Sequence, residues 1–314
     1  MSNMDLSIII ISWKVKEELK ENLSALFKSA GRVNFEVFVV DNDSKDGTAE
    51  MVKSEFPRAN LIANNYNAGF ARANNQALRL CSGQARYVLL LNPDMRVLPG
   101  TLEEMIKWMD GHPEAGAAGC HLVCPVKSRE ACLAGGQAGA EQFNVIGENN
   151  MTVPHVRRFP TVLDQLAIVL KLPHLFPKIL DDYLLRDFDY NKEAEVDSIR
   201  GSFFMIRREV IEKLGGLDER YFIWFEEVDY CRQIKNAGWK VMYAPAVKCV
   251  DYVGKSFAQV KRGKAQKYFR DSMLKYFKKW HPIWQYWILR IAWPIGMFIA
   301  WAGERLNFKS EIKT

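Results

Sequence analysis

The sequence has no internal repeat, no glycine in the loop after its first apolar run, and no second pair of metal ligands near its one Cys–His–Cys grouping. Each absence removes a class of function. A nucleotidyltransferase built on an α/β sheet needs a glycine-rich loop behind its first strand, and "ISWKVKEEL" (11–19) has none. Cys120, His121 and Cys124 lack the paired spacing of a zinc site and read as buried thiols. The opening "MSNMDLSIIIISW" shows no basic region before its short isoleucine run, so no export signal is read. The six cysteines (Cys81, Cys120, Cys124, Cys132, Cys231, Cys249) are therefore expected as free thiols in a reducing cytosol. Acids are scarce in one place: nine Lys or Arg between Lys255 and Lys279 face a single Asp271. Such a block points to an anionic surface.

What is present is a strand–helix alternation. "LSIIIIS" (6–12) and "FEVFVVDN" (35–42) read as strands around a helix over 16–27, and "SKDGTAEMV" as a turn opening a helix with Asp46 or Ser44 as cap. A short strand "NLIAN", a helix over 70–80, the strand "ARYVLLLN" and a helix from Thr101 to about Asp110 follow. This order starts a parallel sheet, where ligands bind beyond the carboxyl ends of the strands. Three of those ends are polar: Ser12, then Asp41, Asn42 and Asp43, then Asn92 to Asp94. Residues 125–197, with "AGGQAGA" and several prolines, read as a long excursion that is helical around 162–171. "SIRGSFFMIRR" (198–208) reads as one strand, Glu227 to Ala237 as a helix ended by Gly238, and "WKVMYA" as another strand.

Two acid groups carry candidate chemistry. Pro93 ends the ladder after Asn92, so Asp94 stands at a strand's edge. It either caps the next helix or holds a hard cation against a diphosphate, because Mg²⁺ combines one or two carboxylates with phosphate oxygens. "FEEVD" (225–229) puts Glu226, Glu227 and Asp229 in a helix's first turn, where the macrodipole favours them and Asp229 can pair with Arg232. The neighbouring Tyr221, Phe222, Trp224 and Phe225 give an apolar setting in which a carboxylate gains basicity and can act as general base.

The tail differs from the rest. Phe269, Met273, Tyr276, Phe277 and Trp280 share one helix face, with Lys264, Lys267 and Lys278 on the other. Residues 282–302 are apolar except for Gln285 and Arg290, and include Trp284, Trp287, Trp293 and Trp301. Such a run is near the ~20 residues a bilayer needs. A central Arg costs about 2.5–3.5 kcal/mol there, so an interfacial or re-entrant anchor is preferred over a span. The alternative is a packing element or homodimer interface.

The ordered series "SIIIISW", "VVDNDSKDGT", "NNYNAGFARANNQAL", "LLLNPD", "RRFPT", "IRGSFFMIRREVI" and "GGLDERYFIWFEEVDYCRQIKNAGWKV" followed by "YAP" resembles glycosyltransferase family 2, rhamnosyltransferase-like group, over about residues 5–256. The resemblance implies an α/β GT-A fold, Rossmann-like, with a mostly parallel sheet flanked by helices and a C-terminal helical, membrane-associating tail. The domains would be residues 1–256 (nucleotide-sugar half about 1–120, acceptor half about 121–256) and a basic, Trp-rich anchoring region 257–314.

It also implies inverting transfer from a nucleotide-diphosphate sugar, first of all dTDP-rhamnose, with Mg²⁺ or Mn²⁺. The donor positions fall on Ser12, Asp41, Asn42, Asp43, Gly69, Asn74 and Asn92, the metal on Asp94, and the acid pair containing the base on Glu226 and Glu227. Three departures stand out. Residues 92–94 are N-P-D rather than D-x-D, as is usual in this group; Glu227 stands where Asp is more common; Asp251 replaces a histidine, as metal ligand or surface acid. The acceptor would be a hydroxyl of a polyprenyl-diphosphate-linked glycan at the cytoplasmic face of the plasma membrane, with no nucleic-acid partner. A catalytically degenerate scaffolding subunit of a polysaccharide-assembly complex is the other reading.

Overall fold

The computed structural model describes residues 4–29, 31–125, 145–146, 150–252, 260 and 262–311. The "AGGQAGA" stretch, Cys132, Lys255, Lys261 and the end of "VDYVGKS" lie outside them. Strands β1 (Leu6–Ser12), β2 (Phe35–Asp41), β3 (Ala59–Ala63), β4 (Tyr87–Leu91), β5 (Met95–Val97), β6 (Ala115–Pro125), β7 (Val145–Ile146), β8 (Asn150–Thr152), β9 (Val156–Arg157), β10 (Ala194–Glu195), β11 (Ser198–Ile199), β12 (Phe203–Arg207) and β13 (Lys240–Asp251) are described. The helices are α1 (Lys16–Ser29), α2 (Thr48–Glu55), α3 (Phe70–Leu78), α4 (Thr101–Gly111), α5 (Val162–Val169), α6 (Arg208–Leu214), α7 (Glu226–Asn236), α8 (Arg262–Trp280) and α9 (Ile283–Glu311).

The main sheet runs β10-β13-β6-β12-β4-β1-β2-β3, with β1, β2, β3 and β4 parallel and β12 antiparallel to both of its neighbours. Every residue of β1 is buried, as an unbroken isoleucine run covered on both faces requires. Alternate residues serve opposite cores. Ile8 and Ile10 join Leu19, Leu23, Leu26 and Met105 on one face, while Ile9 and Ile11 join Ala71, Ala73, Val210 and Ile234 on the other. The result is a helix–sheet–helix sandwich, the α/β GT-A-like architecture the resemblance implies.

Local structure corrects several expectations. "SIRGSFFMIRR" is two strands and a helix start: β11 pairs with β9, the chain turns at Gly201, and β12 enters the main sheet. The break exists because Arg200 N donates to His155 O (3.0 Å) while Ser202 O accepts from Asn92 N (2.9 Å), two ladders on different partners. At α2, Asp46 accepts from the Thr48 amide and hydroxyl, and Ser44 Oγ accepts instead from Lys14 N. Cys81, Cys120, Cys231 and Cys249 are free, but Cys124 is disulfide-bonded, against the expectation of a free thiol. His121 is buried against Thr152 Oγ1 (2.9 Å), and burial lowers its pKa to about 4, so it is a neutral core imidazole.

Candidate active site

The parallel register brings the polar strand ends together. Ser12 is level with Asp41, Ile10 is level with Leu91, and Asn42 N donates to Ser12 O (2.9 Å). Asp41 Oδ1 accepts from Ser44 N (3.1 Å), while burial raises its pKa against that bond. Asn42 is spent on architecture: it donates to Gly69 O (3.1 Å) and accepts from Asn64 Nδ2 (3.0 Å) and Ala68 N (3.2 Å), which fixes the 64–69 loop. Asp43, at φ 64°, remains half-exposed beside Lys45. Ser12 Oγ, Asn74 Oδ1 and Ser202 Oγ are buried without a hydrogen-bond partner, although Asn74 Nδ2 donates to Phe70 O (2.9 Å). Buried orphan oxygens of this kind call for a ligand or water.

Gly69 joins the donor loop to the opposite wall. Its φ is +81°, a Cβ there would stand 2.5 Å from Phe222 O, and Phe70 N donates to that same carbonyl (2.7 Å). Only glycine, lacking a Cβ, adopts this backbone conformation at such a close approach without strain. Gly69→Ala is expected to cut kcat/KM about 100-fold, the scale of a ~1 Å displacement of reacting groups. Unchanged steady-state kinetics in that variant would remove this role.

Asp94 and Asp251 are brought together by a bulge. β13 runs parallel to β6, but Ala244 pairs with Cys120 and Lys248 with His121, so Pro245 to Val247 have no counterpart. Proline cannot donate to the ladder, and the strand is redirected there. Its end then pairs antiparallel with β5, setting Asp251 opposite Met95, and Tyr252 N donates to Asp94 O (3.2 Å). Asp94 and Asp251 are therefore neighbours, 6% and 3% exposed, which excludes the surface-acid reading of Asp251. Arg200 Nη1 lies 3.7 Å from Asp251 Oδ2. Among the described residues no group of three or more His, Cys, Asp or Glu is placed to hold a metal. The two aspartates are neighbours along the backbone, and carboxylates combined with diphosphate oxygens are the donor set Mg²⁺ or Mn²⁺ prefers.

The acid pair stands across the Gly201 turn. A Cβ at Gly201 would meet Glu227 Cβ and Phe70 Cε1, each at 3.7 Å, and the following residue bonds Asn92. A short path thus connects Asp94 to Glu227. Trp224 (φ 64°) and Phe225 (φ 68°) are both left-handed just before α7, a strained entry of the sort found where side chains must be aimed. Glu226 and Glu227 each have an Oε2 buried without a partner. Burial, helped by the Glu227 charge, pushes the Glu226 carboxyl well above its ordinary range. Burial also raises Glu227, but the guanidinium groups of Arg157 and Arg200 oppose the shift. Both carboxyls are thereby raised, and the guanidinium charges of Arg157 and Arg200 act on Glu227.

Those arginines come from the small β9–β11 sheet, where Arg157 is opposite Ser198. The sequence displayed them in "RRFPT" and "IRGSFF" without any signal that the two segments pair.

Not every acid or aromatic near the pair faces the crevice. Asp229 does not bond Arg232; fully buried, it accepts from Trp280 Nε1 (2.6 Å), Gln233 Nε2 (2.7 Å), Lys279 Nζ (2.8 Å) and Tyr221 OH (3.3 Å). Arg232 instead reaches Tyr276 OH (3.1 Å) and lies over the Phe159 and Trp280 rings. Tyr221 and Phe225 are core residues at 1% and 5% exposure, which leaves Phe222 and Trp224 as the half-buried rings. The α8 helix is thereby locked against the site: Tyr268 stacks on Phe222 at 4.3 Å and Ser272 Oγ donates to Ile223 O (2.7 Å). Asp229→Ala is expected to destabilise the fold by about 1–3 kcal/mol, because Trp280 Nε1, Gln233 Nε2 and Tyr221 OH lose a buried acceptor and Lys279 keeps only Asp218 (3.3 Å). Thermal or denaturant unfolding measures it, and a loss under 1 kcal/mol contradicts the clamp.

The model described as glycosyl transferase family 2 matches residues 7–157. The N-acetylglucosaminyl-diphospho-decaprenol L-rhamnosyltransferase of Mycobacterium tuberculosis is 23% identical over 257 residues, covering 79% of this chain and 76% of that protein. Rhamnosyltransferase WbbL of Escherichia coli is 25% identical over 251 residues, covering 78% and 82%. Among solved structures, the mannosyltransferase PcManGT of Pyrobaculum calidifontis, in complex with GDP-Man and Mn²⁺, superposes with a TM-score of 0.55 at 20% identity, over 96% of this chain and 75% of that one. The strand-end crevice, its facing acids and these likenesses converge: the chain carries a glycosyl transferase family 2 domain on a GT-A fold, and it is a glycosyltransferase.

Proposed function

We propose that this enzyme transfers a sugar with inversion from a nucleotide-diphosphate donor, dTDP-rhamnose first, to a hydroxyl of a polyprenyl-diphosphate-linked glycan. The observation that carries the proposal is the Glu227 carboxylate, held beside Arg157 and Arg200, a single turn of chain away from the Asp94–Asp251 pair. The donor nucleotide lies along Ser12, Asp41 to Asp43, Gly69 and Asn74, where Ser12 Oγ and Asn74 Oδ1 are buried without a partner. Asp94 and Asp251 would hold Mg²⁺ or Mn²⁺, which supplies positive charge to the departing diphosphate when bound. Glu227 takes the proton of the attacking hydroxyl, with Glu226, its carboxyl raised by burial, beside it. Phe222 and Trp224 present ring faces to the acceptor sugar.

The relatives' names support the lipid-linked acceptor, and the tail supports a membrane-bound place for the reaction at the cytoplasmic face. No described helix is long and apolar enough to cross a membrane. On α9, however, Leu289, Ala292 and Gly296 face the protein, while Trp284 (53%), Trp287 (52%), Ile291 (64%), Ile295 (52%) and Phe298 (64%) are open to solvent. Apolar residues all round a helix that is covered on one face only suit a lipid interface, and the exposed lysines of α8 suit anionic headgroups. Trp284→Ser with Trp287→Ser is expected to abolish flotation with anionic vesicles without changing donor binding; undiminished flotation excludes α9 as the contact. Because α8 clamps the site, removing the tail is not an equivalent test.

The proposal as a whole is tested by supplying dTDP-rhamnose, UDP- or GDP-sugars with Mn²⁺ and a polyprenyl-diphosphate N-acetylglucosamine acceptor. Release of nucleoside diphosphate with a product of inverted anomeric configuration is expected. A retained configuration overturns the general-base role.

A further inference from the structure

Between α8 and α9 lies a cleft of about 370 Å³ lined by Arg270, Asp271, Leu274, Arg290, Trp293 and Pro294. We infer that this cleft binds the phosphate group of an amphiphile, its guanidinium groups taking the phosphate and its apolar wall the start of the chain. Three observations carry the assignment.

The first is charge. Arg270 is held by Asp271 (Nε 2.9 Å and Nη2 2.7 Å to Oδ1), so among the described residues two guanidinium groups line the cleft with one carboxylate, an excess of one positive charge. Arg290 has Tyr286 OH at 3.4 Å, a neutral partner, in a stretch that is otherwise apolar apart from Gln285. An ionised residue in such a helix marks a polar ligand's place, and basic pockets between helices at a lipid surface take phosphate headgroups. Guanidinium also matches phosphate oxygens bidentately.

The second is the two-sided lining. Leu274, Trp293 and Pro294 form an apolar wall beside the arginines, and the exposed Ile291, Ile295 and Phe298 continue from it along α9. A soluble anion would leave that wall unused. An alkyl or prenyl phosphate uses both.

The third is position. Trp293 is 6.5 Å from Phe269, ring to ring, and Phe269 is 5.6 Å from Phe225, the residue before Glu226. The cleft is therefore joined, through the packed rings of Phe269 and Phe225, to the segment that leads into Glu226. The inference rests on the lipid-linked acceptor proposed above, since that molecule carries a diphosphate between its glycan and its prenyl chain. A bulk phospholipid headgroup shares the chemistry.

The test uses the full chain and phosphatidylcholine vesicles containing undecaprenyl diphosphate, undecaprenol, phosphatidylglycerol or no addition. Binding is expected to tighten roughly tenfold with a phosphate-bearing lipid over undecaprenol, the scale of charge-assisted contacts. A gain from undecaprenyl diphosphate alone identifies the acceptor as the source; a gain from phosphatidylglycerol as well identifies lipid phosphate in general. Arg270→Gln with Arg290→Gln is expected to lose the gain while still binding neutral vesicles, and Arg270→Lys with Arg290→Lys to keep most of it. Equal binding of undecaprenyl diphosphate and undecaprenol by the unaltered chain overturns the inference whatever the variants' folding, as does a full gain in the glutamine pair. Glu227→Gln is expected to retain the gain, so a failure of the proposed catalysis and a failure of this site register separately.

Discussion

Glu227→Gln is expected to reduce transfer by about 10²–10⁴-fold, the range a positioned general base contributes, with nucleotide-sugar affinity and melting temperature little changed. The amide keeps the shape of the side chain and removes only its capacity to take a proton. Glu226→Gln is expected to lose far less. Burial and the neighbouring charge raise the Glu226 carboxyl well above its ordinary range, and glutamine imitates the protonated form. An equal loss in the two variants would show that the pair shares one function, and unimpaired Glu227→Gln would move the base elsewhere.

The same carboxylates set a pH dependence. Glu227 must be ionised to act, and burial raises it from the ordinary 4.5, so the acid limb of kcat/KM is expected above pH 4.5. The raised pair favours the folded chain fully below pH 4.5, and that contribution is lost as pH rises through the raised values. Arg200→Gln takes away an opposing positive charge and is expected to shift the acid limb further upward. A pH–rate profile on the two proteins measures both statements, and a limb at or below 4.5 contradicts the reading.

Asp94→Asn is expected to be the other severe variant. Withdrawing one stabiliser of charge developing on a leaving group costs on the order of 10²–10³-fold. The signature that separates this from general damage is metal dependence: added Mn²⁺ should raise the melting temperature of the parent protein with nucleoside diphosphate and fail to do so for Asp94→Asn. Asp251→Asn is expected to show the same signature, because the β5–β13 pairing puts it beside Asp94. A parent-like response to Mn²⁺ in both variants would exclude these carboxylates as the cation's ligands.

Much of the donor half could be read before any coordinates. An isoleucine run buried on both faces, helices at regular spacing and polar residues at three strand ends dictate a parallel sheet with a crevice at one edge, because those signals are local and repeat with the period of the element. Asp94 and the Glu226–Glu227 pair were visible for the same reason, each at the end or start of a well-marked element. Pairings between distant segments left no local trace. Nothing in "YAPAVKCVD" announces the bulge that swings Asp251 beside Asp94, and nothing in "RRFPT" announces that Arg157 will lie with Arg200 near Glu227.

Asp229 makes the point most directly. Its first-turn position predicted a local partner, Arg232, but its bonds go to Lys279 and Trp280, fifty and more residues away. Sequence alone determined the sheet, the crevice and the kinds of acid that occupy it. Tertiary structure decided which arginines act on Glu227, which aspartates stand together, and that the basic helix α8 is packed against the segment before the acid pair. Protonation and charge pairing depend on burial and distance, and both are set by contacts between parts of the chain far apart in sequence.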